Sequence, residues 1–299
     1  MLDVRIARTA VATHTGRKRR HNEDAYVCEP PLFAIADGMG GARAGEVASS
    51  LAAAAVQTSE AAGDGKERVA ALIQAANRSV YERSSQDAEV AGMGTTMTVA
   101  LVEDGVVTFG HVGDSRAYIL RDGALEQLTD DHSLVAELVR GGKLSAEEAE
   151  HHPQRSVITR ALGTDPDVDV DTFAVDARQG DVFVLCSDGL TDMIADEEIG
   201  EVLSSRRERL DDAAKELVRR ANKAGGQDNI TVVAFEMTDQ PVEPDEDTVE
   251  QTLEQTQPLP LPEAQAEPKT GRAWRRFLPL LLLLLAIAAA AIVLWVLAR

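Results

Sequence analysis

The chain has 299 residues, with 30 basic and 50 acidic side chains and a formal net charge of −20. That length accommodates one large domain with appended segments, and the acidic balance argues against a nucleic-acid partner, which rewards basic faces. Cys28 and Cys186 each lie in or beside an apolar run, which indicates core thiols in a reducing compartment rather than a disulfide.

Strand and helix patterns come in blocks within residues 1–238. Short turns at 103–105 and 122–123 favour antiparallel pairing over a regular alternation of strand and helix. We therefore expect an α+β fold in which an antiparallel β-sandwich is flanked on both faces by helices. The predicted strands are 4–12, 25–28, 32–36, 95–101, 106–112, 117–120, 173–175, 182–186 and 230–235, and the predicted helices are 45–61, 67–84, 133–141 and 210–224.

Five acidic clusters lie where these predicted strands begin or end. Asp37 and Asp188 each follow a strand, whereas Glu23 and Asp228 each precede one. Antiparallel neighbours bring the end of one strand beside the start of the next, so these carboxylates and Asp114 are expected at one sheet edge. Each cluster alone is more often a turn, and only the combination predicts a site. The clusters are 22–24, 37–41, 113–116, 187–189 and 228–229.

Carboxylates gathered at one edge need cations. The lack of nearby His or Cys argues against zinc and favours Mg²⁺ or Mn²⁺, which prefer oxygen ligands. Two such ions about 3.5 to 4 Å apart can share a water, lower its pKa and hold it in line with a phosphorus atom. Gly38 and Gly40 allow a sharp turn after Asp37, and the Gly38 carbonyl is a further oxygen ligand.

In their order, these segments resemble the metal-dependent protein phosphatases of type 2C in their bacterial form, over roughly residues 3–236. The resemblance implies a β-sandwich flanked by helices, and hydrolysis of phosphoserine and phosphothreonine without a phosphoenzyme intermediate. The segments are Arg19-x-x-Asn22-Glu23-Asp24, Ala36-Asp37-Gly38-Met39-Gly40-Gly41, Gly94-Thr95-Thr96, Gly113-Asp114-Ser115-Arg116, Ser187-Asp188-Gly189-Leu190 and Gln227-Asp228-Asn229-Ile230-Thr231.

The resemblance also implies a role for each ligand of two ions, Mn²⁺ or Mg²⁺. Asp37 would bridge both ions. Asp188 and Asp228 would bind the first ion, and the Gly38 carbonyl and Glu23, directly or through water, would act on the second.

Further roles come from the same resemblance. Asp114 would hold a third, weaker ion. Arg19 would grip the substrate phosphate, because a planar guanidinium fork suits phosphate better than lysine does; Arg20 is the alternative register within the basic stretch 17–20, which can also be read as a solvated surface. The predicted catalytic residues are Arg19, Asp37, Asp188 and Asp228, and minor roles are predicted for Asp24, Ser115, His132 and Asn229.

The proton donor for the leaving alkoxide is open. Many eukaryotic relatives have a histidine in the segment Asp-Gly-His-Gly-Gly, where this chain has Met39. A metal-bound water is the first expectation. His132 is the alternative, because it lies in a segment resembling the family's mobile flap, about 128–163; the ordinary interpretation is a helix N-terminal residue in a polar loop. Within the flap, Ser145 and Glu148 read as a capping box that opens a short helix.

The C-terminal residues predict a membrane tether. Residues 239–276 form an acidic, proline-rich linker that ends in a basic patch, a composition typical of disorder. Residues 277–298 are 22 uncharged residues, about 33 Å long as a helix, which matches a hydrocarbon core of roughly 30 Å. The basic residues before this span place residues 1–238 in the cytoplasm and the C-terminus outside a cell membrane crossed once. Dimerisation through the span is left open.

The sequence supports one main hypothesis and two rival hypotheses about function. The main hypothesis is a membrane-tethered cytoplasmic Ser/Thr protein phosphatase whose partners are phosphorylated proteins, including Ser/Thr kinases. The first rival is a catalytically silent module that binds phosphoproteins, and its signature would be lost ligands. The second is a metal-dependent phosphodiesterase or small-molecule phosphatase, which shares the site but not the motif order.

Overall fold

The architecture is a four-layered α+β sandwich. The structure is a computed structural model that describes residues 4–40, 43–61 and 63–240. One sheet has the strand order β1-β11-β10-β7-β8, the other has β2-β3-β5-β6-β9 with β4 beside β3, and all pairings are antiparallel. The strands are β1 Arg5–His14, β2 Asp24–Glu29, β3 Leu32–Met39, β4 Gly94–Thr95, β5 Met97–Glu103, β6 Val106–Val112, β7 Arg116–Arg121, β8 Ala124–Gln127, β9 Asp171–Asp176, β10 Val182–Cys186 and β11 Ile230–Thr238.

The helices form the two outer layers. The first two pack on the β2–β9 sheet through a small-residue and aliphatic face that includes Ala48, Ala52 and Ile73. The last two pack on the other sheet through residues such as Val202 and Leu217. The helices are α1 Ala44–Thr58, α2 Gly65–Gln86, α3 Leu134–Arg140, α4 Ala146–Glu150, α5 Asp188–Thr191, α6 Asp196–Ser205 and α7 Leu210–Ala224.

A third apolar cluster fills the space between the sheets. Phe33 stacks on Phe235 with ring centroids 4.2 Å apart, and Phe235 stacks on Phe183 at 5.1 Å. Strand side chains alternate between this inner layer and the helix-facing layer, so both faces of each sheet are apolar. The rigid sandwich holds the strand ends, and therefore the acidic clusters, in fixed relative positions.

The predicted fold class is confirmed, and several element bounds change. The strands 106–112 and 182–186 and the helix 210–224 are as predicted. The turn residues Asp104 and Asp122 have positive φ, as a tight hairpin turn between antiparallel strands requires. The capping box of Ser145 and Glu148 is also present at the start of α4.

Three elements were not predicted. Strand β8 is too short to show alternation and pairs with β7 only because the Asp122-Gly123 turn folds it back. Helix α5 is a single turn after β10. Helix α6 could have been predicted, because Ile199, Val202 and Leu203 have helical spacing after an acidic first turn.

The predicted membrane span lies outside the described residues, as do most of the predicted linker and the residues at 41–42. Within residues 4–40, 43–61 and 63–240, no helix is both long enough and apolar enough to cross a bilayer. Both cysteines are free thiols, Cys186 buried and Cys28 partly so.

Candidate metal centre

The pairing of β2 with β3 joins the first two acidic clusters. Asp24 is the register partner of Asp37, and the Gly38 amide donates to the Glu23 carbonyl at 3.1 Å. The predicted strand ends at residue 36, but β3 continues to Met39. Asp37 therefore lies inside the strand and not after it. The extension matters, because backbone pairing beyond Asp37 fixes the Gly38 carbonyl.

The backbone of Asp37 is fully engaged. Its amide donates to Thr96 Oγ1 at 2.9 Å, and its carbonyl accepts from Thr95 Oγ1 at 2.8 Å and from the Thr96 amide at 2.9 Å. Thr96 Oγ1 lies 2.8 Å from Ser115 Oγ. The Gly94–Thr96 segment therefore links Asp37 to the third acidic cluster, and the predicted minor residue Ser115 has a buried structural contact.

Glu23 and the Gly38 carbonyl converge at the start of α1. A Cβ atom added to Gly45 would lie 2.7 Å from both Glu23 Oε2 and the Gly38 oxygen. Gly38 in turn has no space for a side chain, because a Cβ there would overlap the Gly45 carbonyl. The absence of both side chains lets a carboxylate and a carbonyl oxygen approach the same point, as the predicted second ion requires.

Asp188 and Asp228 come together where α5 packs on the start of β11. A Cβ on Gly189 would overlap the Asn229 carbonyl and lie 3.4 Å from Asp228 Cβ. Asp228 Oδ1 accepts from the Asn229 amide at 2.8 Å, which orients its carboxylate. Glycine after Asp188 therefore permits the close approach of the two predicted ligands of the first ion.

Asp24, at the start of β2, binds β11 and the residue after β10. Its Oδ2 accepts from Ser187 Oγ at 2.9 Å and from Thr231 Oγ1 at 2.7 Å. Its other oxygen, Oδ1, is buried and has no hydrogen-bond partner among the described residues, and the same holds for Asp188 Oδ1. Orphaned buried carboxylate oxygens are costly unless a cation or water satisfies them.

The carboxylates raise one another's pKa. Burial, followed by the negative charge of neighbouring aspartates, holds the pKa of Asp37 and of Asp188 well above the usual range. Burial raises the pKa of Asp24 to about 6, and burial together with Asp131 raises the pKa of Asp114 to about 7. Such a cluster favours a cation, because bound positive charge removes both the repulsion and the desolvation penalty.

These residues fit hard divalent ions that keep part of their hydration shell. Within the described ranges, no three His, Cys, Asp or Glu side chains close into a complete cage. Mg²⁺ and similar ions are bound by one or two carboxylates and several waters. The partly exposed carboxylates of Asp37, Asp188 and Asp228, together with the Gly38 carbonyl, match that pattern.

Asp192 was missed in the sequence analysis. It lies one helical turn after Asp188, and its charge raises the pKa of both Asp188 and Asp114. Burial in turn raises the pKa of Asp192 itself. The four-residue spacing from Asp188 was the available signal, because residues at i and i+4 share a helix face.

The structure brings Arg19 to the acidic cluster. Arg19 Nη2 donates to Asp228 Oδ2 at 2.6 Å, and its guanidinium is half exposed. Burial lowers the pKa of Arg19, but the charges of Asp228, Glu23 and Asp37 outweigh that effect and raise it overall. Arg20, the alternative register, makes no ion pair within the part of the chain described.

Asn229, predicted to have a minor role, is a buried connector. Its Oδ1 accepts from the Glu23 amide at 2.7 Å, and its Nδ2 donates to the carbonyls of Thr15 and His21 at 2.9 Å each. The loop that carries Arg19 is therefore fastened at both ends to the residue after Asp228.

His132 lies in the loop directly before Ser133, the N-cap of α3, as the ordinary interpretation predicts, but its side chain is buried. Its side chain is 4% exposed, its Nδ1 accepts from the Gly113 amide at 3.0 Å, and its Nε2 pairs with Asp171 Oδ2 at 3.0 Å. Burial lowers its pKa. Because both ring nitrogens are engaged, His132 connects the flap to the residue before Asp114 and is poorly placed to protonate a leaving group.

Comparison with known proteins is consistent with this geometry. A sequence profile described as protein phosphatase 2C matches residues 13–233. The serine/threonine phosphatase stp of Listeria monocytogenes serotype 4b is 42% identical over 241 residues, which cover 75% of this chain and 93% of that protein.

Solved structures agree with the sequence comparison. The serine/threonine phosphatase PstP/Ppp of Mycobacterium tuberculosis superposes with a TM-score of 0.72 at 40% identity, covering 77% of this chain and 97% of that one. A catalytic domain of PstP in complex with two manganese ions has a TM-score of 0.72 at 37% identity, covering 79% and 99%. The chain thus belongs to the protein phosphatase 2C family and is a metal-dependent Ser/Thr protein phosphatase.

Proposed function

We propose that this phosphatase hydrolyses phosphoserine and phosphothreonine in proteins by direct attack of a metal-activated water, without a phosphoenzyme. The observation that carries the proposal is the edge formed by Asp37, Asp188 and Asp228, where burial and neighbouring carboxylates raise the pKa of Asp37 and Asp188, and Asp188 Oδ1 has no hydrogen-bond partner among the described residues. A stable fold holds such an arrangement when an external cation completes it.

The ligand assignment is carried over from the family motifs, and the close approach of Glu23 to the Gly38 carbonyl and of Gly189 to Asp228 supports it. Asp37, Asp188 and Asp228 would hold a first Mn²⁺ or Mg²⁺, and Asp37, Glu23 and the Gly38 carbonyl a second. Asp114 would hold a third ion, which its pKa of about 7 supports, since its charge is poorly compensated without one. When bound, such ions lower the pKa of a coordinated water and stabilise charge on the phosphoryl oxygens.

Arg19 would bind the substrate phosphate. In the free enzyme its guanidinium is paired with Asp228 at 2.6 Å, and a phosphate dianion offers a stronger, bidentate partner. Because the pair is exposed, its exchange for phosphate costs little. The proton for the leaving alkoxide would come from water in the site, since both nitrogens of His132 are engaged.

The proposal includes a membrane tether. It is supported by the sequence alone: the apolar residues 277–298, the arginines before them, and Trp274 and Trp295 near the two ends of the span. The catalytic domain would face the cytoplasm and act on phosphorylated proteins there, including Ser/Thr kinases. A reporter fused after Arg299 should be extracytoplasmic, and a cytoplasmic signal would refute this orientation.

The rival functions differ in what they predict for the same site. A silent binding module is disfavoured because Glu23, Asp37, Asp114, Asp188 and Asp228 are all present. A small-molecule phosphatase or phosphodiesterase would use the same ions on other substrates.

The test is hydrolysis of a phosphothreonine peptide by the full chain in detergent. We expect no activity after chelation, recovery on titration with Mn²⁺ or Mg²⁺, and loss in Asp37→Asn. A panel of nucleotides and sugar phosphates serves as the comparison. Full activity of Asp37→Asn, or faster turnover of the small molecules than of the peptide, would overturn the proposal.

A further inference from the structure

The basic loop, residues 15–21, is held rigidly beside the metal centre. Asn229 binds the carbonyls at its two ends, and the Arg17 amide donates to the Gly226 carbonyl at 2.7 Å. Gly16, with φ of 79°, packs so closely on the Asp228 carbonyl that a Cβ there would overlap it. These contacts fix the loop against the segment before β11 that supplies Asp228.

The loop carries more positive charge than phosphate binding requires. Arg17, Lys18, Arg19 and Arg20 are all exposed, yet only Arg19 makes an ion pair within the residues that the structure describes. On a protein with a net charge of −20, three exposed cations next to a phosphate-binding arginine are an attractive local field for anions.

Distance limits what these cations can contact. Residues within two positions of Arg19 have Cα atoms within about 8 Å of its own, given 3.8 Å per residue. An extended substrate advances about 3.3 Å per residue, so side chains two to four positions from the phosphorylated residue come within reach. That separation is also within the Debye length of about 10 Å at 0.1 M salt.

We propose that the basic loop makes this phosphatase select phosphopeptides that carry a second anionic group, an acidic side chain or another phosphate, within about four residues of the phosphate to be removed. Arg19 binds the scissile phosphate, while Arg17, Lys18 and Arg20 bind the neighbouring anion. The inference rests on the proposed function and adds a substrate class to it.

The test measures kcat/KM of the full chain in detergent, with saturating Mn²⁺, on peptides with one phosphothreonine. The flanking positions hold Ala, Glu, Lys or a non-hydrolysable phosphonate residue. The Lys peptide tests whether the sign of the charge matters, and the phosphonate peptide tests whether a phosphate-like group is preferred over a carboxylate. We expect the Glu and phosphonate peptides to exceed the Ala peptide by roughly fivefold to twentyfold at low salt, the Lys peptide to fall below it, and the differences to shrink at high salt.

Two triple variants decide whether the loop is responsible. Arg17→Gln with Lys18→Gln and Arg20→Gln should abolish the preference, while turnover of the Ala peptide and of p-nitrophenyl phosphate stays within about twofold, because neither carries a second anion. The matched control replaces three exposed basic residues elsewhere, Arg5, Arg178 and Lys215, with Gln and should keep the preference.

The outcomes separate this inference from the proposed function. Equal rates on all peptides, a preference that persists in the loop variant, or an equal loss on every substrate including p-nitrophenyl phosphate would each overturn the substrate class. Failure of the unmodified protein to hydrolyse any of the peptides would instead overturn the proposed function, and the inference with it.

Discussion

Strands β10 and β11 have buried or partly buried carboxylates at both ends, and these carboxylates are neutralised at one end but not at the other. At one end, Asp181 precedes β10 and Glu236 lies near the end of β11; Asp181 accepts from Arg121 at 2.6 and 2.9 Å, and Glu236 pairs with Arg8 and Arg207. At the other end, Asp188 follows β10 and Asp228 precedes β11.

At that second end the compensation is incomplete. Asp188 has no arginine or lysine partner in the described part of the chain, and Asp228 has only the exposed Arg19. Burial of a carboxylate is therefore not by itself a sign of function. What distinguishes the metal end is burial without a matching cation, which stores unfavourable energy that a bound ion releases.

The largest expected effect comes from Asp188→Asn. Loss of this proposed metal ligand should reduce kcat/KM by about a thousandfold, since metal stabilisation of a transition state contributes several kcal/mol and each 1.4 kcal/mol is tenfold. In the absence of metal, the same change should stabilise the fold by about 1 kcal/mol, because one repelling charge is removed. Peptide kinetics and denaturant unfolding in a chelator measure the two effects. If Asp188→Asn lowered the stability of the metal-free protein, the charge of Asp188 would not be unfavourable in the fold, and the proposed difference between the two strand ends would be wrong.

Asp181→Asn is the matched change at the opposite end of the strands, and we expect it to affect stability but not activity. The variant should keep its kcat/KM within about twofold, but lose about 2 to 3 kcal/mol of stability, because Arg121 loses the charge of its partner in a largely buried pair. Urea unfolding measures this loss. If Asp181→Asn lowered kcat/KM but left the free energy of unfolding unchanged, Asp181 would not have the purely structural role that distinguishes its end of the strands.

Arg19→Lys keeps the positive charge and removes the planar fork. We expect kcat/KM to fall by roughly tenfold, mostly through KM, because lysine cannot bind phosphate in a bidentate manner. Arg20→Lys is the control and should change kcat/KM on a neutral-flanked phosphopeptide by less than about twofold. A larger effect at Arg20 than at Arg19 would assign the phosphate to the other register.

The smallest expected effect is on pH dependence without metal. The pKa of Asp24 is about 6 and that of Asp114 about 7 in the folded protein, both above about 3.9 for an unfolded aspartate. The folded state therefore holds more protons between pH 4 and 7, and stability should decrease as pH rises through that window. From pH 6 to pH 8 we expect a loss of about 1 to 2 kcal/mol by denaturant unfolding. Saturating Mn²⁺ should abolish this loss; its persistence would mean that the metal does not bind these groups.

The sequence by itself determined the fold class, most elements and the identity of the acidic clusters. Alternation in strands such as 106–112 and 182–186 and the single apolar face of 210–224 are local signals, because period and turn chemistry are set by neighbouring residues. The order of the clusters was equally readable, since family motifs are strings of adjacent residues such as Gln227-Asp228-Asn229.

Which of these carboxylates have a cationic or hydrogen-bonding partner depends on the tertiary structure and could not be predicted from local sequence. The pairing of Asp24 with Asp37, the contact of Arg19 with Asp228, and the two hydrogen bonds of Asn229 to the basic loop join residues up to about two hundred positions apart. The tertiary structure also makes His132 an unsuitable proton donor, because its side chain is buried and its two ring nitrogens contact Gly113 and Asp171. Hydrogen bonds need close contact and Coulomb interactions weaken with distance, so both depend on spatial separations that no local pattern encodes.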